Sequence, residues 1–360
     1  MSVRRAHVQV FEMDHPEDWG GLARAFDDGV LSPESVRAVF VKTEGNGLDN
    51  DWSRPLALRA LEPLLRRAQG SSYEAPMIVA SGGCEGLLTP HAIVLADTRV
   101  CALDADDDDT PSLAIGAAVS EPLDADRLGR APHGSAARDA VVRACLQAGL
   151  ALDEVVHVHL LSPWMGRDLL EAAPADAQPV ALDAHSSKPA IRAAAAIGAG
   201  LALGELDEAD VRWTSVGPLA SRHTTRVVVT AGDTGGRVHA LVLGHSRRWR
   251  GPLRIASTQL ADMLDVEAIA RVHRGVPLAA FYKGDPPAGS HVRGARTTMA
   301  GDSDIHAFRH FRAAMSGVFG ATLGTARVFV GGGAECQCVP GGGVLTLIDD
   351  LTRPTSRSPA

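Results

Sequence analysis

Short apolar runs that end in small residues punctuate this chain at three places. Met77-Ile-Val-Ala-Ser81-Gly-Gly, Arg226-Val-Val-Val-Thr230-Ala-Gly and Arg327-Val-Phe-Val-Gly331-Gly-Gly each predict a buried strand running into a tight loop. Glycine and alanine at the turn allow backbone to approach a ligand closely. A helical pattern precedes each run. Residues 192–204, RAAAAIGAGLALG, align without gaps on residues 312–324, RAAMSGVFGATLG, with six identities in thirteen positions. Both predict helices that open with an arginine and close at a glycine C-cap. The first copy offers a looser match, Arg54 followed by LALRALEPLLRR at 56–67. A further apolar strand stands ahead of each arginine. It reads Ala38-Val-Phe-Val41 into Lys42, Val155-Val-His-Val-His159 into Leu160-Leu161, and Leu278-Ala-Ala-Phe-Tyr282 into Lys283.

A unit of strand, arginine-bearing helix, strand and small-residue turn therefore recurs three times. The expected fold is α/β, with three similar repeats around a pseudo-threefold axis and one central active site. The expected divisions are 1–105, 106–248 and 249–360, and the tail LTRPTSRSPA is expected to be disordered.

Composition narrows the function. The chain has 360 residues, 45% of them hydrophobic, which is ample for a core. With 35 basic against 43 acidic side chains, it has no basic face for a phosphate backbone, so nucleic acid is not an expected partner. The acidic run Asp104 to Asp109, interrupted by Ala105, predicts an exposed loop. No apolar run reaches membrane-spanning length, and the start has no apolar leader. Five cysteines make an odd count, and a reduced, cytoplasmic enzyme without a membrane partner is expected. Cys336-Gln-Cys338 is a C-x-C, a weak metal or redox signal.

Three equivalent elements about one axis place lysine-type and serine-type positions around a central cavity. A serine hydroxyl attacks poorly until a base takes its proton, and a buried lysine becomes that base once burial lowers its pKa. Lys42 and Ser81 form such a pair. Backbone N–H groups beside the following Gly82 suit an oxyanion. Arginines at equivalent places suit a small-molecule ligand with several carbonyl oxygens.

The segments VKTEGNGLDNDWSR (41–54), SGGCEGLLTPH (81–91), RGARTTMAGDSDIHAFRHFRAA (293–314) and VGGGAECQCVPGGG (330–343) resemble the cyanuric acid amidohydrolase/barbiturase family of ring-opening amidohydrolases. The resemblance implies a three-repeat fold, a homotetramer, and hydrolysis of an amide bond in a cyclic imide or ureide. It implies three Ser/Lys pairs and three arginines around the substrate, with the second pair as nucleophile and base. Carried over, the arginines are Arg54, Arg192 and Arg312, and the first pair is Lys42 with Ser81, followed by Gly82. In the third repeat Lys283 stands opposite Gly331 and Gly332, with no serine. In the second, Leu161 replaces the lysine and Thr230, followed by Ala231, replaces the serine. Leucine cannot take a proton, which leaves Ser81 as the expected nucleophile and Lys42 as its base. It also argues against standard cyanuric acid chemistry. A non-hydrolytic reaction in the same cavity, or a non-catalytic binding subunit, are the alternatives.

The resemblance implies no cofactor for the chemistry but a structural Mg²⁺ or Ca²⁺, held by Asp285 and the loop positions Ala334, Gln337, Pro340 and Gly341. His157 and His159 share a strand face with Leu161, and one of them could stand in as a base near Thr230, although packing is the expected role. Glu85 and Glu335 occupy equivalent places and are expected to brace their loops by accepting backbone N–H bonds. Cys84 is expected to be packed.

Overall fold

The structure is a computed structural model. It describes residues 2–353 apart from residues 49, 68–74, 102–109, 216, 288 and 290, so the acidic run and residues 354–360 of the C-terminal tail lie outside the described residues. The first third contains β1 (Ser2–Glu12), α1 (Gly20–Asp27), β2 (Val36–Lys42), α2 (Ser53–Leu65), β3 (Met77–Ser81) and β4 (His91–Cys101). The second contains β5 (Ser112–Val119), α3 (Ala131–Ala148), β6 (Val155–Pro163), α4 (Arg167–Glu171), α5 (Ala184–Ala202), β7 (Val211–Thr214), β8 (Gly217–Ala220), β9 (Val227–Gly232) and β10 (His239–Ser246). The last contains β11 (Leu253–Leu260), α6 (Val266–Val272), β12 (Ala279–Gly284), β13 (His291–Val292), β14 (Ala295–Arg296), α7 (Ala307–Leu323), β15 (Phe329–Gly332) and β16 (Gly343–Asp350).

Twelve of these strands build three four-stranded sheets with one topology. The orders are β1-β4-β2-β3, β5-β10-β6-β9 and β11-β16-β12-β15. In each, the last pair of the order, joined through the helix, is parallel and the other pairings are antiparallel. A parallel pair needs a crossover, and an α-helix supplies it. The mixed α/β architecture is thus three repeats of one sheet.

Side-chain alternation along the strands sorts residues between two surroundings. On β2, Val39 and Val41 pack with Leu22, Ala57 and Leu61 of the covering helices. Ala38 and Phe40 face the other way, into a core shared with Val158 and Leu160 of the second sheet and Phe281 and Phe329 of the third. The third sheet buries Tyr282 and Val330 against Phe311, Met315 and Phe319 of α7. At the centre, Phe40 meets His159 and Phe281 edge-on, with ring centroids 4.8 and 4.9 Å apart. These three residues stand two positions before Lys42, Leu161 and Lys283 on equivalent strands. The same alternation therefore aims Lys42, Leu161 and Lys283 at the axis, one layer further along.

The arginines do not all open their helices. Arg54 is the second residue of α2, but α5 begins at Ala184 and α7 at Ala307, well before Arg192 and Arg312. The true starts lie at caps. Asp183 accepts the Ser186 N–H at 2.8 Å, and His306 accepts that of Phe308 at 3.3 Å. Gly324 does close α7 in the left-handed conformation (φ 71°), whereas Leu203 caps α5 one residue before Gly204.

Candidate active site

Lys42 ends β2 and Ser81 ends β3, and the two are directly paired in the parallel register. Lys42 is fully buried, and its Nζ lies 3.2 Å from Ser81 Oγ, 3.0 Å from the Gly82 carbonyl oxygen and 2.7 Å from that of Val330. Burial first, and then the Arg312 guanidinium, push the amine down to about 7. A neutral amine has two N–H bonds and one lone pair. The two carbonyls take the N–H bonds, and the lone pair is left for the serine hydroxyl.

Behind Ser81 the chain is held tightly. The buried Asp51 accepts the Ser53 backbone N–H at 3.0 Å and the Gly47 N–H at 2.7 Å. A Cβ on Gly82 would lie 1.6 Å from Asp51 Oδ2, so only glycine fits after the serine. Sequence reasoning passed over Asp51; its signal was an acidic residue placed just before the helix that carries Arg54.

Two corners of the site are closed by matching ion pairs between thirds of the chain. Arg312 Nε and Nη2 donate to the two oxygens of Glu85, both at 2.6 Å, and Arg192 does the same to Glu335, again at 2.6 Å. Such fork-to-fork pairs fix a guanidinium in place. Each lies against a left-handed glycine, Gly83 (φ +82°) under Arg312 and Gly333 (φ +84°) under Arg192. Glu85 and Glu335 thus bind side chains of neighbouring repeats, not the backbone of their own loops as expected.

The third corner is different. Thr234 stands where the glutamate would be, and its hydroxyl donates to the Arg237 carbonyl at 2.5 Å. Arg54 has no carboxylate partner among the described residues and turns back to donate to the Leu48 carbonyl. Leu161 is paired with Thr230 in the strand register, as Lys42 is with Ser81. Thr230 and Ala231 are half-buried, and the Thr230 hydroxyl lies 3.1 Å from Nε2 of the buried His159.

In the third repeat Lys283 is paired with Gly331, and Gly332 follows. A Cβ on Gly331 would stand 3.6 Å from Lys283 Nζ, the place a serine side chain would take. Burial and the Arg192 guanidinium lower this amine to about 7 as well. The structure therefore brings Lys42, Ser81, Gly82, Arg192, Arg312, Lys283, Gly331, Gly332 and Thr230 to equivalent strand ends and their flanking helices, and leaves Arg54 turned to its own loop. Cys84 is half-buried, and burial raises its thiol to about 11, which keeps it inert.

His91 was not singled out by sequence. It is paired with Lys42 across β4, is fully buried, and its Nδ1 contacts the Thr89 carbonyl at 2.7 Å. Burial lowers it to about 4, so it stays neutral beside the lysine. His239 stands at the matching place opposite Leu161. The shared His-Ala-x-Val-Leu at 91–95 and 239–243 was the available signal.

The expected cation ligands have other partners. The Asp285 carboxylate accepts the Gly333 N–H at 2.9 Å and the Ala334 N–H at 3.0 Å. The Ala334 carbonyl accepts Gln337 N–H at 3.0 Å, and Gln337 Oε1 accepts Val229 N–H at 2.8 Å. Pro340 and Gly341 continue this turn, and the Gln337 carbonyl accepts Gln259 Nε2 at 3.2 Å. As arranged, these residues do not fit a cation cage, because the one carboxylate is taken up by backbone N–H groups. No group of three or more His, Cys, Asp or Glu side chains among the described residues could hold a metal either. No helix among the described residues is long and apolar enough to cross a membrane.

Comparison with known proteins agrees with this architecture. The chain is 35% identical to a cyanuric acid amidohydrolase of Methylobacterium sp. (strain 4-46), covering 96% of this chain and 97% of the relative. It is 31% identical to a cyclic amide hydrolase of Azorhizobium caulinodans, covering 95% and 98%. The crystal structure of the cyanuric acid hydrolase from A. caulinodans superposes with a TM-score of 0.85 at 32% identity, covering 96% and 99%. The model of the amidohydrolase ring-opening protein family matches residues 7–350. By that match and those identities, the chain belongs to the ring-opening amidohydrolase family.

Proposed function

We propose that this protein is a hydrolase that opens a small cyclic amide ring, with Ser81 as nucleophile and Lys42 as its base. The observation that carries this reading is the 3.2 Å contact between Lys42 Nζ and Ser81 Oγ at a buried amine. The second and third repeats have Leu161 with Thr230 and Lys283 with Gly331 in the same register, so neither repeats the pair. Neutral Lys42 takes the hydroxyl proton as Ser81 Oγ bonds to a ring carbonyl carbon. We assign the N–H groups of the Gly82–Gly83 turn as donors to the developing oxyanion, and the guanidinium of Arg312 adds positive charge near Lys42. The C–N bond then breaks, and the proton on Lys42 passes to the departing nitrogen. Water hydrolyses the resulting Ser81 ester and completes the opening.

Relatives named for cyanuric acid make that ring the first to test. The leucine and threonine at the second corner favour a ring that does not need a second lysine there. Ser81→Ala is expected to lower turnover by at least about 10³-fold on whichever ring of cyanuric acid, barbituric acid and glutarimide the wild type opens. The product should gain the mass of one water. Full activity of Ser81→Ala, or a product of unchanged mass, would sink the reading. A homotetramer accompanies this proposal, and light scattering after gel filtration tests it.

A further inference from the structure

The position two residues before the axial lysine is Phe40 in the first repeat and Phe281 in the third, but His159 in the second. These three rings occupy the same central layer. Packing there is served by phenylalanine, and burying an imidazole instead costs free energy unless it is hydrogen-bonded. The imidazole occurs only in the repeat that has lost its lysine, and it lies 3.1 Å from the hydroxyl that replaces the serine. The ring is fixed by Phe40 on one side, with its centroid 6.1 Å from that of His157. His157 itself is engaged elsewhere, Nδ1 to the Thr346 hydroxyl at 2.9 Å. His159 Nδ1 is buried and has no hydrogen-bond partner among the described residues. His159 and Lys283 both border a cavity of about 10 Å³, about the size of one water. Burial first, then His157 and Lys283, hold His159 far below its ordinary value, so the resting imidazole is neutral and carries a lone pair.

We propose that Thr230 is a second catalytic residue, which serves the hydrolytic half of the reaction, with His159 as the positioning residue behind it. This rests on the Ser81 ester proposed above. After ring opening has freed the nitrogen, a water molecule attacks the ester carbonyl. Its oxygen bonds to that carbon as one water proton passes to Thr230 Oγ and the Thr230 proton passes to His159 Nε2. The bond from carbon to Ser81 Oγ then breaks, and His159 returns its proton through Thr230 to Ser81 Oγ. All atoms balance, and both groups end as they began. The two hydroxyl–base pairs thus divide the work, Ser81 with Lys42 forming the ester and Thr230 with His159 removing it.

The test is intact mass spectrometry with turnover, using cyanuric acid, barbituric acid and glutarimide as probes. With a ring that the wild type opens, Thr230→Val should lower turnover by about 10²-fold and accumulate an adduct of nearly one substrate per chain. The adduct should map to Ser81 and be missing from the Ser81→Ala/Thr230→Val double variant. Thr230→Ser should restore turnover to within a few-fold. His159→Phe, matching the residue of the other repeats, should accumulate the same adduct, and adding Thr230→Val to it should cost nothing more. Loss of turnover without an adduct, or unchanged turnover in Thr230→Val, overturns the proposal. An adduct that persists when Ser81 is alanine overturns the Ser81 assignment instead. If the wild type opens none of the three rings, the hydrolase reading fails with it.

Discussion

The first and second corners of this site share a backbone and differ in almost every side chain that carries chemistry. Both end in a parallel strand pair with the same register, Lys42 against Ser81 and Leu161 against Thr230. At the first, a buried amine touches a hydroxyl, Glu85 clamps Arg312 across the repeat boundary, and Gly83 makes room for the guanidinium. At the second, an alkyl chain stands in the amine's place, Thr234 replaces the glutamate, and Arg54 bonds only to its own loop. The threefold scaffold is kept by packing, which tolerates apolar exchange at the axis. Its chemistry is concentrated where charge remains. A fold built from repeats can therefore change the residues at equivalent strand ends without losing its core.

The sharpest way to break the comparison is to change the equivalent residues alike. Lys42→Met is expected to lower kcat/KM by about 10³-fold or more, because it removes the amine that lies against the Ser81 hydroxyl. Leu161→Met, an exchange of similar volume, should leave it within about threefold. Equal losses at the two positions would remove the distinction between the corners.

Acidity gives the next effect. Lys42 works as a base only when neutral, and burial with Arg312 puts its amine at about 7. Below that value the amine is charged, so kcat/KM should fall about tenfold per pH unit as pH drops, and level off above it. A pH profile flat from 5 to 9 (on the order of these limits) would exclude a titrating lysine as base.

Backbone supplies a third contrast. Gly83→Ala forces a side chain into φ +82° and to within 2.6 Å of Arg312 Nη2. Urea unfolding should show a loss of about 2–4 kcal/mol. At Gly232 a Cβ would meet only Leu161 Cδ1, at 3.2 Å, and φ is not left-handed. Gly232→Ala should stay within about 1 kcal/mol.

Much of this was legible in the sequence, for physical reasons. The strand-and-turn segments ending at Ser81, Thr230 and Gly331 were visible because buried strands are apolar and their turns need small residues. The Lys42–Ser81 contact followed from the position of both at strand ends. The strands β1, β4, β5, β10, β11 and β16, which complete the three sheets, do not end in a small-residue turn, and only the shared His-Ala-x-Val-Leu of β4 and β10 ties two of them to the repeat. The arginine pattern at 192 and 312 marks the middle of each helix and not its start, because the caps, Asp183 and His306, lie well upstream. The partners of Glu85 and Glu335 could not be read at all. Arg312 is 227 residues from Glu85, and a contact so distant is set by how repeats pack, not by local pattern.

The smallest effect concerns the loop after β15. Its turn is closed by Asp285, whose carboxylate receives the Gly333 and Ala334 N–H groups within 3.0 Å. Burial and the nearby Glu335 raise this carboxyl above its ordinary value, and the two N–H bonds oppose that shift. A cation in the same place would have to exchange these bonds for its own. Dialysis of the protein against EDTA is therefore expected to leave Tm within about one degree, as it should when no bound ion contributes to folded-state stability. Asp285→Ala, by contrast, strands two N–H groups at a buried turn and should cost about 1–3 kcal/mol. A fall in Tm of several degrees with EDTA, reversed by adding Mg²⁺ or Ca²⁺, would show that Asp285 and the carbonyls of Ala334 and Gln337 turn to a cation after all. It would also make the loop that carries Glu335, and through it Arg192, depend on that ion.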